Sequence, residues 1–182
     1  MSVKITYFVH GTTTDNEQEI ATGQNPGELS YNGIQQAKAL RGLVADKTFD
    51  VMFCSDLQRA IDSATLGFEG VYDIVHDSRL RECDYGDMNG RPATEAFVGG
   101  KELRIDTPFP NGESYKDVET RIADFIGFLK NNYQGKHVAI MAHQAPQFAL
   151  EVLLLGKTWP QVIEEDWRKS GEWQPGWDYL VE

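Results

Sequence analysis

Two histidines and an arginine follow predicted β-strands at the points where those strands end. His10 follows the apolar run Val3–Val9, Arg59 comes shortly after a second apolar run, and His143 follows a third. Because the carboxyl ends of parallel strands meet at one edge of a sheet, we expect these side chains to converge. Imidazole and guanidinium groups beside helix N-termini suit an oxyanion, so the pattern predicts a phosphate site.

The elements that must position these residues alternate between strand and helix. The predicted strands span residues 3–9, 50–54, 71–75 and 137–142, with an edge strand inside the tail 173–181. Apolar residues at helical spacing predict helices at 31–43 with Ser30 as N-cap, 56–68 with Ser55 as N-cap, 93–98, from the segment 112–114 to 132, and 144–155. This order predicts an α/β fold, a three-layer α/β/α sandwich with a mostly parallel central sheet, in one domain over residues 1–182.

Composition limits the partners that the chain can have. The 182 residues carry a formal net charge of -11, and we therefore expect neither nucleic acid nor a membrane as a partner, because both favour basic surfaces. No apolar run is long enough for a membrane helix and no signal peptide is visible. Cys54 and Cys83 are too few for a disulfide framework, so we expect a cytoplasmic protein. We predict no metal site and no cofactor, and we expect the acidic run 164–166 to be a solvated face.

A series of short motifs runs from residue 4 to residue 143. The motifs are His10-Gly11-Thr12-Thr13 with Asn16, Thr22-Gly23, Leu29 to Gly33 with Gln36-Ala37, Ser55 to Ala60, Leu80-Arg81-Glu82 with Tyr85-Gly86 and Gly90, Gly112 to Tyr115 with Arg121, and Met141-Ala142-His143. In this order they resemble the histidine phosphatase superfamily, which includes cofactor-dependent phosphoglycerate mutases and α-ribazole phosphatase-like enzymes, and the resemblance implies a phosphoglycerate mutase-like fold. Residues after about 155 match no motif of this family.

The resemblance implies a role for each polar residue of the predicted site. His10 would be the nucleophile and form a phosphohistidine, with its other ring nitrogen held by an acceptor such as a backbone carbonyl. Arg59 and His143 would bind the phosphoryl oxygens, and Glu82 would protonate the leaving oxygen and later activate water. Further substrate contacts are implied for Gly11, Asn16, Thr22, Gly23 and Gln144.

The chain departs from the family pattern at three positions in this site, and the smallest departure is Thr12 in place of the acidic residue usual in many members. The family places an arginine immediately before the nucleophile, where this chain has Val9, and a glycine where this chain has Gln144. Comparable arginine contacts in phosphoryl transfer contribute roughly 10³–10⁵ in rate. We therefore expect either a slow enzyme or a substitute cation, for which Arg81, Arg91 and Lys101 are candidates.

Two functions remain open. The first is a phosphatase that hydrolyses a small phosphorylated metabolite through a phosphohistidine at His10. The second, motivated by Val9, is a non-catalytic or very weakly active member that binds a phosphorylated ligand or a protein partner. Glu82 favours catalysis, because a binding protein has no need of an acid there.

Two further expectations concern activity and assembly. The resemblance favours phosphatase over phosphoglycerate mutase activity. The mutases of this family have a longer insertion after the segment that carries the acid, with basic residues that bind the substrate carboxylate, whereas the region 87–109 of this chain is short and has few basic residues. The edge strand of the tail, with its tryptophans, is a candidate contact for a homodimer.

Overall fold

A computed structural model describes residues 2–170, 173–174 and 176–182. The strands are β1 (Val3–Val9), β2 (Ile20–Ala21), β3 (Val51–Cys54), β4 (Ile74–His76), β5 (Arg91–Pro92), β6 (His137–Ala142) and β7 (Trp177–Val181). The helices are α1 (Thr14–Glu17), α2 (Tyr31–Leu43), α3 (Gln58–Phe68), α4 (Ala93–Ala96), α5 (Tyr115–Asn132), α6 (Gln144–Leu155) and α7 (Trp159–Glu164).

The central sheet has five strands in the order β4-β3-β6-β1-β7. β1, β3, β4 and β6 are parallel, and β7 pairs antiparallel with β1 at the edge. β1 and β6 are neighbours, with Val9 opposite Ala142. The residues that directly follow these two strands, His10 and His143, therefore lie side by side at one edge of the sheet.

Helices cover both faces of this sheet, and the predicted α/β/α sandwich is confirmed. Apolar residues of α2 and α3 pack with Phe8 of β1 on one face, and those of α5 and α6 pack with Tyr7 and Val9 on the other. Side chains of a strand alternate between its two faces. A side chain at position 9 therefore leaves the sheet on the side of α6. Within the described ranges, no helix is long and apolar enough to cross a membrane.

The N-terminus of α3 differs from its prediction. Leu57 is the N-cap, so the helix begins at Gln58 and the prediction of Ser55 as its cap is wrong. The Ser55 hydroxyl instead accepts a hydrogen bond from the backbone N–H of Leu57 within the preceding loop (3.2 Å). In this position the Ser55 hydroxyl also contacts the ring of His143.

The third predicted strand and the acidic run also differ. The strand begins at Ile74 rather than at residue 71, because the N–H groups of Val71 and Tyr72 both bond to the carbonyl of Phe68 and form a turn after α3. The run 164–166 is not uniformly solvated, since Asp166 is buried. Its carboxylate bonds to Arg168 and to Gln144, which satisfies the buried charge.

Candidate active site

A cavity of about 1100 Å³ lies at the carboxyl ends of the parallel strands, and His10, Arg59 and Glu82 all line it. His143 is fully buried beside it, with its ring centre 5.1 Å from that of His10. The structure thus brings together the four residues that the sequence singled out, although most of the chain separates the first from the last.

The ring of His10 is fixed in one orientation and one tautomer. Its Nδ1 lies 2.7 Å from the carbonyl oxygen of Gly11, and a carbonyl can only accept, so Nδ1 carries the proton. Nε2 then bears the lone pair. Burial and, second, the charge of Arg59 lower the pKa of His10 to about 3. The ring is therefore neutral at physiological pH, with a nucleophilic nitrogen beside Arg59.

Arg59 lies in the first turn of α3, and its guanidinium is buried. Nε donates to His10 Nε2 (3.3 Å), while Nη1 and Nη2 donate to the carbonyls of Asn25 (2.9 Å) and Gly23 (2.6 Å). Burial lowers the pKa of Arg59 below its ordinary value, and the nearby Glu82 acts in the opposite direction. An arginine remains protonated under such conditions, so it supplies a fixed positive charge next to the nucleophile.

His143 is held from two sides. The hydroxyl of Tyr7 donates to its carbonyl (2.7 Å) and accepts from its backbone N–H (3.1 Å). Its ring Nε2 lies 2.8 Å from the Ser55 hydroxyl. Nε2 is the acceptor that the described residues offer to the proton of the buried Ser55 hydroxyl, whose other bond is accepted from Leu57. We therefore assign the ring proton of His143 to Nδ1. Burial and, second, the charge of Arg59 keep the pKa of His143 well below 6.5.

The Nδ1 atom of His143 is buried and has no hydrogen-bond partner among the described residues. Buried polar atoms in native proteins normally have a partner. With the proton assigned to Nδ1, this atom is an unused donor within the site. A phosphoryl oxygen is a suitable acceptor for it.

Glu82 lies at the N-terminus of α6, where unpaired backbone N–H groups favour a carboxylate. Its Oε1 accepts from the N–H groups of Cys83 (2.7 Å) and Ala145 (3.1 Å), and its Oε2 accepts from that of Gln144 (3.1 Å). The carboxylate is thus fixed at the cavity wall.

The segment that carries Glu82 is anchored from α5. Arg121 donates to the Glu82 carbonyl (3.1 Å) and to the Arg79 carbonyl (2.5 Å), and it forms an ion pair with Glu113 (2.9 Å). Glu113 also accepts from the N–H of Asp84 (2.9 Å). The motif around Glu113 and Arg121 therefore holds the acid-bearing loop in place.

The remaining predicted contacts fall into two groups. Asn16, Thr22, Gly23 and Gln144 line the cavity. Gly11 instead packs against α2, where a Cβ would lie 2.4 Å from the Gly33 carbonyl oxygen, and its N–H donates to Ser63 (3.0 Å). Its N–H is therefore not free for a phosphate.

The loop that carries Thr22 and Gly23 has a backbone conformation that requires glycine at position 23. Gly23 has a φ of 56°, and a Cβ there would lie 1.8 Å from Asn89 Oδ1, which accepts from the N–H of Gln24 (3.2 Å). Thr22 donates its hydroxyl proton to Asp15 (2.9 Å), and the Asn16 side-chain oxygen accepts from Thr13 (3.0 Å). The loop is thus built before any ligand binds.

The three candidate substitutes for the missing arginine do not share one location. Arg81 forms an ion pair with Asp56 (2.6 Å), and Arg91 is exposed in β5. Lys101 lines the cavity, and its ammonium donates to Gln144 Oε1 (2.8 Å). Of these three, Lys101 is the one within the cavity.

A further arginine lines the cavity from a segment in which the sequence offered no motif. Arg168 lies in a 3-10 helix after α7, Trp167–Ser170. Its Nη1 donates to Asp166 (2.8 Å), and Asp166 accepts from Gln144 Nε2 (2.5 Å). Helical periodicity could not reveal this residue, because its position depends on how the chain after α7 packs against α6.

Comparisons with known proteins agree with this geometry. The chain belongs to the histidine phosphatase superfamily, whose branch 1 model matches residues 7–170. The fructose-2,6-bisphosphatase TIGAR of Xenopus tropicalis is 35% identical over 134 residues, which are 69% of this chain and 49% of that protein. This chain thus spans about half the length of that relative.

Two other similarities cover more of both proteins. A 2,3-bisphosphoglycerate-dependent phosphoglycerate mutase of Methylorubrum extorquens is 32% identical over 164 residues, covering 82% of this chain and 77% of the mutase. A mycobacterial glucosyl-3-phosphoglycerate phosphatase superposes with a TM-score of 0.77 at 27% identity, covering 87% of this chain and 86% of that one. The relatives are thus phosphatases or mutases acting on small phosphorylated metabolites, and the predicted family and phosphoglycerate mutase-like fold are confirmed.

Proposed function

We propose that this chain is a phosphomonoesterase that hydrolyses a small phosphorylated metabolite through a phosphohistidine at His10. The observation that carries the proposal is the state of the His10 ring. Nδ1–H is committed to the Gly11 carbonyl, and the lone pair on Nε2 accepts a 3.3 Å hydrogen bond from the buried Arg59, which a phosphoryl oxygen can replace. A neutral imidazole in this state is a competent nucleophile.

In the first step, the His10 Nε2 lone pair forms a bond to phosphorus while the bond between phosphorus and the ester oxygen breaks. Arg59 and the Nδ1–H of His143 would bind the phosphoryl oxygens as charge redistributes over them. Glu82 would transfer its proton to the departing oxygen, so that an alcohol leaves rather than an alkoxide.

In the second step, water attacks the phosphorus of the phosphohistidine. The Glu82 carboxylate, now deprotonated, would take the proton of this water, and the bond between Nε2 and phosphorus breaks. Inorganic phosphate leaves, and both His10 and Glu82 return to their starting states. The same residues thus serve both steps, with no external acid or base.

The second candidate function is a member that binds a phosphorylated ligand without turning it over. Val9 favours it, because this apolar residue stands directly before the nucleophile and lines the cavity. Glu82 weighs against it, because an acid that three backbone N–H groups fix in the cavity wall serves proton transfer to a leaving group and is not needed for binding alone.

Turnover of p-nitrophenyl phosphate by wild type and His10→Asn tests the proposal. Asparagine retains an N–H near the position of Nδ1 but lacks Nε2, so it preserves the bond to Gly11 and removes the nucleophile. We expect turnover by wild type and none above background by the variant. Equal rates would rule out His10 as the nucleophile, and phosphate binding without turnover by wild type would support the second candidate.

A further inference from the structure

With valine at position 9, the site lacks the positive charge that the family's arginine would supply at the end of β1. Position 9 projects from β1 toward α6, because Val9 and Tyr7 both belong to the core under α5 and α6. A cation that replaces an arginine at this position must therefore approach from the α6 side. It must also reach the ends of β1 and β6, where His10 and His143 lie.

Arg168 meets both conditions. Its Nη2 donates to Gln147 Oε1 (3.3 Å), and Gln147 is a buried residue of α6 whose N–H donates to the His143 carbonyl (3.4 Å). The guanidinium thus lies about one helical turn from His143, on the face of the sheet to which Val9 belongs. It lines the same cavity as His10.

The charge of Arg168 reaches the groups at the ends of these strands. Burial, the largest contribution, lowers the pKa of His10 and His143 and raises that of Tyr7, whereas the charge of Arg168 makes a smaller contribution that lowers all three. Arg59 acts on the same two histidines. The charges of two arginines, one on each side of the sheet, therefore act on the nucleophile His10.

The contacts of Arg168 orient it without exhausting its donors. Asp166 and Gln147 accept from Nη1 and Nη2, whereas a guanidinium has five N–H groups in a fork that matches two phosphoryl oxygens. Asp166 is in turn held by the side-chain amide of Gln144, whose oxygen binds Lys101. The glutamine at the family's glycine position therefore helps to hold the segment that carries Arg168.

We propose that Arg168 replaces the arginine missing at Val9 and binds the phosphoryl group that His10 receives. This inference rests on the proposed function and adds a residue to it. It also explains why two departures from the family pattern occur together. Loss of the arginine before His10 is matched by an arginine from the tail, and gain of Gln144 supplies its support through Asp166.

Two measurements on Arg168→Ala test the inference. The first is kcat/KM with p-nitrophenyl phosphate, which we expect to fall by roughly 100-fold or more, as for loss of a preorganised donor to a transition state. The second is the affinity for inorganic phosphate by calorimetry, which does not depend on turnover and should also fall. Circular dichroism and thermal melting establish that each variant is folded.

Arg41→Ala is the matched control. It also replaces an arginine by alanine, but Arg41 is an exposed residue of α2 that lies outside the cavity. We expect this variant to remain within roughly twofold of wild type, as is usual for an exposed charge without a specific contact.

The double variant V9R/R168A separates phosphoryl binding from a structural role. An arginine at position 9 would return positive charge to the same space, so we expect it to recover roughly tenfold or more of the lost kcat/KM, since one charge-assisted contact contributes about 1.5–3 kcal/mol. A loss in Arg168→Ala that Val9→Arg leaves unchanged would overturn the inference, because a packing defect around Arg168 is not repaired by a charge placed on β1.

The inference and the proposed function can fail separately. If Arg168→Ala retains wild-type kcat/KM and phosphate affinity while His10→Asn is inactive, the inference is wrong and the proposed function stands. If His10→Asn is as active as wild type, the proposed function fails. Phosphate affinity then still reports whether Arg168 binds the anion.

Discussion

The Nε–H of Arg59 donates to His10 Nε2 across 3.3 Å, so the cation and the nucleophile are in contact in the unliganded site. The contact has two effects. It helps to keep the ring neutral, because a positive charge opposes protonation of Nε2. It also holds the guanidinium where an incoming phosphoryl oxygen can replace Nε2 as the acceptor.

Arg59→Ala should be the most damaging single change to phosphoryl binding. We expect kcat/KM to fall by roughly 10³–10⁵, as for other arginines in phosphoryl transfer, and the carbonyls of Gly23 and Asn25 to lose their donor. Arg59→Lys keeps the charge but cannot bridge several acceptors, so its kcat/KM should lie between those of wild type and Arg59→Ala. Arg41→Ala, which removes an exposed cation from α2, is the control, and an equal effect of both alanine variants would contradict the assignment.

The stability of the protein should depend on pH through its buried histidines. His10 has a folded pKa of about 3 and that of His143 is well below 6.5, whereas both rings take up protons near pH 6.5 when unfolded. Between pH 6.5 and 3 the unfolded chain therefore binds more protons. The free energy of unfolding should be highest above pH 6.5 and decrease as the pH falls through this window.

The comparison of wild type with His10→Asn isolates the contribution of His10. Each histidine adds up to ~1.4 kcal/mol per pH unit to the slope, so urea unfolding between pH 7 and pH 4 should show a shallower dependence in the variant. Carboxylates contribute equally to both proteins and cancel in the difference. Parallel slopes would mean that folded His10 titrates normally.

Glu82→Gln should slow substrates according to their leaving groups. An alkyl phosphate needs a proton on its leaving oxygen, whereas p-nitrophenolate leaves without one. We expect kcat/KM to fall much further for the alkyl ester than for the aryl ester. Both substrates use one protein preparation, which controls for any loss of stability, and an equal fall for both would show that Glu82 is not the acid.

Ser55→Ala should disturb the tautomer of His143. The change leaves Nε2 buried without its partner, at a cost of about 1–3 kcal/mol, and removes the contact that assigns the proton to Nδ1. Nitrogen-15 chemical shifts of the ring would reveal a mixture of tautomers. Ser63→Ala removes another buried hydroxyl, one bonded to Gly11 and Arg59, and should leave the His143 shifts unchanged.

The parts of the fold that could be predicted are those with a strong apolar pattern. β1, α2, β6 and α6 have the predicted bounds, because their apolar residues recur with the strand or helix period and Ser30 caps α2. The predicted start of α3 was wrong, because Ser55 is a good N-cap by residue type but its hydroxyl bonds to Leu57 and His143 instead. Residue type alone does not decide between such partners.

The candidate site was predictable where it follows strand ends, and not where it depends on the tail. His10 and His143 are placed by neighbouring strands, which sequence patterns indicate. Arg168 reaches the cavity through bonds to Asp166 and Gln147, and neither residue has a periodic signal. An acidic run beside an arginine reads as solvated surface until α7 and α6 are packed together.

Trapping of the phosphorylated protein tests the central claim most directly. Wild type is mixed with a slowly hydrolysed phosphomonoester, quenched in alkali, and examined by mass spectrometry and phosphorus NMR. We predict a phosphoryl group on His10 Nε2 that is stable in alkali and lost in acid, and none in His10→Asn. A phosphoryl group on another residue, or wild-type turnover by His10→Asn without any trapped intermediate, would contradict the account.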